Sequence, residues 1–336
     1  MYKTSERKSL MINFGVIGRN FVVDRMLEAS KQISDINLLS VYSRNADTAE
    51  EFANKHGAER AYTDFDAFCR DDELDFVYIA SPNICHTKQA VTLLNAGKHV
   101  LCEKPAAPSE GELSEMLSAA EKNDRVFMEA MMSAHLPAVG IIKDKLSEIG
   151  PVRRATLSYC QYSSRYDKFK SGIIENAFDP RLCNGAMMDI GIYCIHMAAM
   201  LFGEPDEVCG SAVFLPESID GEGSLVLKYD GMLAEIIYSK IADGCLPSQI
   251  EGENGCILID ALSKPRVITV LPRGKEKYII DTSDDKHDMY YELRDFINQI
   301  SGERTREYNE YSMKAIRIAD RARKETGVDF KIRPRP

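Results

Sequence analysis

The segment INFGVIGRNFVV, residues 12–23, decides the fold, because it joins an apolar strand, a glycine turn and the beginning of a helix. A strand that passes through a tight turn into a helix begins the repeated strand–helix–strand units of a parallel sheet. Apolar runs and amphipathic stretches alternate in this way as far as residue 130. We therefore predict strands at 12–17, 37–43, 75–80, 98–102 and 125–130, and helices at 21–30, 46–56, 64–70, 84–97 and 109–123.

The pattern changes after residue 150, where β-rich stretches are separated by Gly, Asp, Pro and Asn turns, as in an antiparallel or mixed sheet. These stretches are 152–162, 207–215, 223–229, 232–241, 255–260, 266–271 and 276–281, with helices near 184–202, 287–300 and 308–325.

A chain of 336 residues suits two domains, and the expected fold class is α/β. We predict a Rossmann domain at 1–130, ordered from about Met11, and a second domain with an open, largely antiparallel sheet at 131–304. A C-terminal helix at 305–336 is expected to pack back on the Rossmann domain.

Composition excludes several classes of function. The chain is 44% hydrophobic and 28% charged, has no apolar run long enough for a membrane span, and begins with ten residues that lack a secretory signal. A net charge of -10 argues against nucleic acid, and nine cysteines without a C-x-x-C pair and six scattered histidines argue against a metal site. We expect a soluble cytoplasmic protein that acts on a small molecule.

The turn after the first strand is an imperfect dinucleotide fingerprint, G-x-G-x-x-G, with Gly18 first, Asn20 in place of the second glycine and Val23 in place of the third. Asn tolerates a positive φ, so the turn can form, with the Asn20 side chain near the space for a pyrophosphate and Phe21 at the helix start. An ordinary tight turn remains the alternative.

Ser43 and Arg44 end the second strand, where NAD enzymes carry an acidic residue for the ribose hydroxyl. A hydroxyl and a guanidinium suit a 2′-phosphate, which favours NADP(H) over NAD(H); a solvated arginine is the alternative. After the third predicted strand, Ser81 and Asn83 are expected to line a nicotinamide pocket, with His86 within hydrogen-bonding range of that loop.

Two further segments carry candidate chemistry. Lys104 is a lone cation at the carboxyl end of an apolar strand, the edge where such sheets bind ligands, although a surface lysine in a loop explains it equally well. In the apolar helix near 184–202, Asp189, Tyr193 and His196 are spaced i, i+4 and i+7, so a helix would present them on one face. The alternative is that Asp189 caps the helix and Tyr193 belongs to the core.

Three motifs together resemble the Gfo/Idh/MocA oxidoreductases, the glucose-fructose oxidoreductase and inositol dehydrogenase group. They are the 103–105 strand end (Glu103, Lys104, Pro105), the 81–83 turn and the Asp-x-Gly-x-Tyr-x-x-His helix at 189–196, in matching order over roughly residues 12 to 300. The resemblance implies a Rossmann domain that binds NAD(P), with Glu103 and Lys104 at the cofactor, and a second domain whose open sheet pairs subunits into a homodimer or homotetramer.

The resemblance also implies that Lys104 is the catalytic lysine, Asp189 its acidic companion and Tyr193 the acid–base residue. Inositol dehydrogenase-like members carry His at the position of Tyr193 and an acid at that of His196, which makes inositol a poor substrate candidate. Tyr193 is instead similar to the glucose-fructose oxidoreductase, dihydrodiol dehydrogenase and aldose dehydrogenase branches.

The expected function is hydride transfer between NAD(P) and a sugar, polyol or related small hydroxyl or carbonyl compound. Tyr193 would act as a base acidified by the Lys104 ammonium. Arg165 and Tyr166, in a polar stretch after the first strand of the second domain, and His196 are the substrate-binding candidates. A catalytically silent dinucleotide-binding sensor, and a glycosidase that works by oxidation and elimination, are the alternatives.

Overall fold

The computed structural model describes residues 11–330, so the predictions for residues 1–10 and 331–336 lie outside the described residues. The first half forms a six-stranded parallel sheet in the order β3-β2-β1-β4-β5-β6, with helices α1 to α5 between the strands. The strands are β1 (Ile12–Ile17), β2 (Ile36–Tyr42), β3 (Arg60–Tyr62), β4 (Phe76–Ile79), β5 (His99–Glu103) and β6 (Phe127–Ala130). The helices are α1 (Phe21–Ser30), α2 (Ala46–His56), α3 (Phe65–Cys69), α4 (Asn83–Asn95) and α5 (Glu110–Lys122).

This strand order is that of the Rossmann fold, so the predicted fold class is confirmed. Strand order reverses between β1 and β4, which pair in parallel from Phe14 with Phe76 to Ile17 with Ile79. The carboxyl ends of these two strands border the crevice in which such sheets bind ligands.

The second half forms an eight-stranded mixed sheet in the order β14-β13-β12-β11-β7-β10-β9-β8, antiparallel except where β10 pairs with β7. Its strands are β7 (Val152–Cys160), β8 (Glu207–Phe214), β9 (Asp220–Tyr229), β10 (Met232–Ser239), β11 (Ser248–Gly252), β12 (Gly255–Ile259), β13 (Val267–Pro272) and β14 (Tyr278–Asp281). The remaining helices are α6 (Met132–His135), α7 (Pro137–Lys145), α8 (Tyr166–Lys170), α9 (Ile192–Phe202), α10 (Tyr290–Ile300) and α11 (Glu307–Thr326).

Sequence patterns missed the strands β3 and β11 and the short helices α6, α7 and α8, and they misjudged the start of one further helix. β3 and β11 were not predicted, because β3 has only three residues and the SQIEG of β11 carries little apolar signal. The helix predicted from residue 184 begins with a π-helical turn at Met187–Gly191, and α9 follows it.

The two C-terminal helices connect the halves. α10 packs against α1, α6 and β6, and the Phe296 ring lies edge-on to Phe76 at 5.2 Å. α11 contacts α5 and β6 in the first half and α9 and β8 in the second. Phe127 of β6, Val208 of β8 and Ile318 of α11 consequently belong to one continuous apolar core. Among the described residues, no helix has the length and apolar character needed to cross a membrane.

Candidate active site

A cavity of about 770 Å³ lies at the carboxyl ends of β1, β4 and β5, and the π-helical turn and the end of β7 close its other side. The candidate residues that line it are Asn20, Phe21, Ser81, Asn83, His86, Glu103, Lys104, Arg165, Asp189 and Tyr193. The structure therefore brings together residues from both halves that sequence patterns had identified separately. Gly18, Ser43, Arg44, Tyr166 and His196 are not part of this lining.

The glycine turn forms, and its positive φ lies at Gly18 and not at Asn20. Gly18 has φ +114°, and a Cβ there would lie 2.6 Å from the Ala80 carbonyl oxygen, so the position requires glycine. Asn20 has φ -86°, and its Oδ1 accepts hydrogen bonds from the amides of Val22 and Val23 as the N-cap of α1. The tolerance of Asn for a positive φ is therefore not needed at position 20, because Gly18 provides that conformation.

His86 lies between two loops of the crevice, the turn at Ser81 and the loop at Pro105. Its Nε2 lies 2.8 Å from the Ser81 carbonyl oxygen and its Nδ1 lies 3.0 Å from that of Pro105. Burial lowers the pKa of His86, and the neutral ring, with a single N–H, donates to one of these two carbonyl oxygens at a time. Asn83 makes a contact between the halves, since its Nδ2 donates to the Cys183 carbonyl at 2.9 Å.

Ser43 and Arg44 lie at the end of β2, outside the cavity lining. The Ser43 hydroxyl is 3.0 Å from that of Thr48, and the Arg44 side chain is exposed. Within residues 11–330, no carboxylate lies within ion-pair distance of Arg44. The guanidinium is therefore available to an anion at this edge of the sheet.

Lys104 and Asp189 form the ion pair that the sequence indicated. Lys104 Nζ donates to Asp189 Oδ1 at 2.9 Å and to the Asp189 backbone carbonyl at 2.6 Å, and it lies 4.9 Å from the centre of the Tyr193 ring. Burial lowers the pKa of Lys104, but Asp189 and Tyr193 outweigh burial and raise it. An ammonium has three N–H donors, so one remains for a ligand in the cavity.

Tyr193 differs from the expectation in its acidity. Burial raises the pKa of its phenol, and the lowering by Lys104 is smaller, so the net shift is upward from the ordinary value of 10.0. The prediction that Lys104 brings this pKa below that of free tyrosine is wrong for the protein without ligands. The neutral phenol is the stable form, which suits a proton donor.

Lys240 is a residue of the site that sequence reasoning missed. It directly follows β10, its Nζ lies 2.7 Å from Asp189 Oδ2, and only 3% of its side chain is exposed. A lone lysine at the end of an apolar strand was the signal that identified Lys104, and it applies equally here. The stretch 232–241 was instead taken as strand throughout.

The π-helical turn presents Asp189 to both lysines. Asp220 Oδ2 accepts a hydrogen bond from the Met187 amide at 2.6 Å, and a Cβ on Gly185 would lie 1.8 Å from Asp220 Oδ1. Asp220 and a glycine at 185 thus anchor the start of the turn. π-Helical turns recur at functional sites.

His196 does not reach the cavity. α9 enters the protein interior one turn after Tyr193, and His196 is buried there 3.8 Å from Glu129, with neither ring nitrogen hydrogen-bonded to a residue in 11–330. Burial lowers its pKa to about 3. The prediction of one wet face was wrong for His196, because nearly every residue of α9 is enclosed.

On the substrate side, Arg165 lines the cavity with its Nε 3.8 Å from Glu175 Oε2, whereas Lys168 binds Glu175 more closely, at 2.7 Å. Tyr166 instead stacks on Phe178 at 5.8 Å and belongs to a small aromatic cluster. Gln161 and Tyr162, from the same polar stretch as Arg165, also line this side, as do Tyr159, Asn176 and Asn184, which sequence analysis did not assign. Among the described residues, no group of three or more His, Cys, Asp or Glu could hold a metal ion.

Comparisons with known proteins agree with this architecture. Residues 12–131 match the GFO_IDH_MocA model, described as an oxidoreductase family with an NAD-binding Rossmann fold, and residues 145–258 match the GFO/IDH/MocA C-terminal domain.

The chain is 46% identical over 323 residues to the scyllo-inositol 2-dehydrogenase (NADP(+)) IolU of Bacillus subtilis, covering 95% of this chain and 98% of the relative. It is 32% identical to the trans-1,2-dihydrobenzene-1,2-diol dehydrogenase of Danio rerio, covering 74% and 72%. A solved structure of KijD10, a 3-ketoreductase from Actinomadura kijaniata in complex with NADP and TDP-benzene, superposes with a TM-score of 0.83 at 23% identity, covering 94% of this chain and 98% of that chain.

Proposed function

Because the chain belongs to the Gfo/Idh/MocA family of oxidoreductases, we propose that it transfers a hydride between NADP(H) and a sugar, polyol or cyclitol, with Lys104 and Tyr193 in proton transfer. The observation that carries the proposal is the contact of Lys104 with Asp189 and Tyr193 at the edge of the Rossmann crevice.

The crevice fits a dinucleotide. Gly18 leaves room beside Ala80 that a Cβ would fill, and the N-terminus of α1 begins directly after this turn, where helix amides favour a pyrophosphate. Ser43 and Arg44 at the end of β2 suit the 2′-phosphate of NADP(H), and the relative of 46% identity is named for NADP(+). When bound, the cofactor supplies or accepts the hydride.

The protein's own groups handle the proton. In carbonyl reduction, the free N–H of Lys104 polarises the substrate oxygen, and the neutral phenol of Tyr193 donates the proton. In the oxidation direction, Tyr193 must first lose its proton. Since burial raises the pKa of Tyr193, the rate of oxidation should increase as the pH rises toward that pKa.

The polar lining on the side of the second sheet indicates a substrate with several hydroxyl groups. Gln161, Asn176 and Asn184 offer amide donors and acceptors, and Arg165 adds a cation whose Glu175 partner is loosely held. Such groups bind vicinal hydroxyls through several directional hydrogen bonds.

A panel of cyclitols, aldoses and ketoses with NADP⁺, NADPH, NAD⁺ or NADH, followed at the nicotinamide absorbance, tests the function. We expect turnover with the NADP pair and a loss of about 10² or more in kcat for Tyr193→Phe. Tyr278→Phe on the edge strand β14, outside the cavity, is the matched control and should keep wild-type activity.

Two outcomes would replace this proposal. Tight cofactor binding without turnover on any substrate would support the silent sensor, and glycoside cleavage with no net change in nicotinamide absorbance would support oxidation and elimination. Wild-type kcat and an unchanged pH profile in Tyr193→Phe would remove the acid–base role of Tyr193.

We also propose that two copies of the chain pair through the open face of the second sheet. Val226 of β9 and Leu233 and Ile237 of β10 lie on that face and are exposed by 39%, 44% and 38%. Sedimentation of the wild type and Leu233→Lys tests the pairing, and a monomeric wild type at assay concentration would contradict it.

A further inference from the structure

Lys240 is an almost fully enclosed ammonium beside the proposed catalytic pair. Besides its contact with Asp189, Nζ donates to the Ala177 carbonyl at 2.7 Å and lies 4.5 Å from the centre of the Phe178 ring. Enclosing an ammonium is costly unless anions, acceptors or ring faces replace water, and here all three do so. A side chain needed only to fill space would not require this set of partners.

The two lysines hold the Asp189 carboxylate from both sides. Lys104 binds Oδ1 at 2.9 Å and Lys240 binds Oδ2 at 2.7 Å, so the carboxylate cannot rotate without breaking one ion pair. Because Lys104 also donates to the Asp189 backbone, the position of its Nζ depends on this arrangement.

The second lysine also changes the charge of the cluster. Lys104 and Asp189 alone would be neutral, and Lys240 adds one positive charge while it is protonated. Burial lowers the pKa of Lys240, and Asp189 opposes that shift. Two more carboxyl groups face the cluster, Asp220 from the start of β9 and Glu103 beside Lys104. Burial raises the pKa of both, that of Asp220 to about 6, so Asp220 is largely ionised at neutral pH and offsets part of the charge of Lys240.

We propose that Lys240 is a positioning residue that fixes Asp189 and Lys104 and provides the extra positive charge that stabilises an anion on the substrate oxygen or on Tyr193. This inference rests on the proposed function, since it assigns Lys240 a role in the proton transfer of that reaction. Lys240 lies at the wall of the cavity, with its side chain only 3% exposed, and in the structure its Nζ is held by Asp189, the Ala177 carbonyl and the Phe178 ring.

The test compares Lys240→Met, Lys240→Gln and Lys240→Arg with the wild type. Met removes the charge, Gln also removes it but keeps an N–H that can reach the Ala177 carbonyl, and Arg keeps the charge. Lys122→Met, an exposed lysine in the last turn of α5, is the control for the change in net charge. The readouts are kcat, KM, NADP(H) affinity, and the rate of alcohol oxidation from neutral to strongly alkaline pH.

We expect Lys240→Met and Lys240→Gln to lower kcat by about tenfold or more, with NADP(H) affinity nearly unchanged. In both variants the rate of alcohol oxidation should begin to rise about one pH unit higher than in the wild type; this increase of rate with pH is called the alkaline rise. Lys240→Arg should restore the pH of that rise. A merely structural role would lower the yield or melting temperature without moving the rise. If only one of Lys240→Met and Lys240→Gln folds, the kcat and pH profile of that variant decide whether Lys240 has the proposed role.

A neutral variant with wild-type kcat and a wild-type pH profile overturns the inference. The proposed function fails separately, when Tyr193→Phe keeps the alkaline rise or when no substrate is turned over. Loss of the rise in Tyr193→Phe together with an unmoved rise in Lys240→Gln would therefore reject the role of Lys240 alone.

Discussion

Asp189→Asn should destabilise the protein by about 2–3 kcal/mol, because two ammonium groups lose their shared counterion. Removing one partner of a fully buried ion pair costs about 3–5 kcal/mol. The cost is smaller here, since 31% of the Asp189 side chain is exposed and an Asn oxygen can still accept one hydrogen bond. With an unfolding entropy of about 2.1 cal/mol/K per residue over 336 residues, 1 kcal/mol corresponds to about 1.4 °C, so the melting temperature should fall by about 3–4 °C.

The pH dependence of the loss of stability in Asp189→Asn shows whether the ion pairs of Asp189 with the two lysines cause it. Burial raises the pKa of Asp189, but Lys104 and Lys240 outweigh it and hold the pKa well below the ordinary 3.8. The pKa of this carboxyl group is lower in the folded state than in the unfolded state. Its contribution to the free energy of unfolding is therefore complete above the unfolded-state pKa and decreases as the pH falls toward the folded-state pKa. The difference in melting temperature between wild type and Asp189→Asn should be largest at neutral pH and shrink below about pH 4.

Scanning calorimetry at neutral and acid pH measures this difference. Asp230→Asn, in the exposed turn between β9 and β10, is the control and should melt like the wild type, because Asn also suits that turn. Equal melting temperatures of wild type and Asp189→Asn at neutral pH, or a difference that grows in acid, would refute the reasoning.

Three other variants test separate parts of the site. Lys104→Met should lower kcat by about 10² while calorimetric titration shows little change in NADP(H) affinity; near-wild-type turnover would make Lys104 an ordinary loop lysine. Arg44→Ala should weaken NADP(H) binding by about tenfold or more and leave NAD(H) binding unchanged, and an equal loss for both would remove the 2′-phosphate assignment. Asn20→Ala should cost about 1–2 kcal/mol in urea unfolding, because the N-cap of α1 is lost; an unchanged midpoint would argue against that cap.

Five of the six strands of the first sheet, all except the three-residue β3, could be predicted from sequence because each of their units is local. An apolar strand, a turn residue and a helix cap lie within a few positions of one another in the chain. Ser109 is an example of such a cap, since its hydroxyl accepts a hydrogen bond from the Glu112 amide. Lys104 was identifiable for the same reason, since a charged residue at the end of a buried strand stands out within one short segment.

The features that sequence patterns missed depend on contacts between distant parts of the chain. The anchor of the π-helical turn is Asp220, 33 residues after Met187 in the chain, and the periodicity of the helix contains no sign of it. Lys240 meets Asp189 only once the second sheet has formed. The pKa of Tyr193 follows from burial, which depends on the packing of both halves around the cavity.

The position of α11 limits how ligands can enter the cavity. Because this helix packs on α5 and β6 as well as on α9 and β8, swinging the two sheets apart would expose buried side chains such as Ile316 and Ile318 to water. Wide hinge opening is therefore costly. Substrate and cofactor should exchange through the existing mouth of the cavity, past side chains such as Phe21, which is 58% exposed.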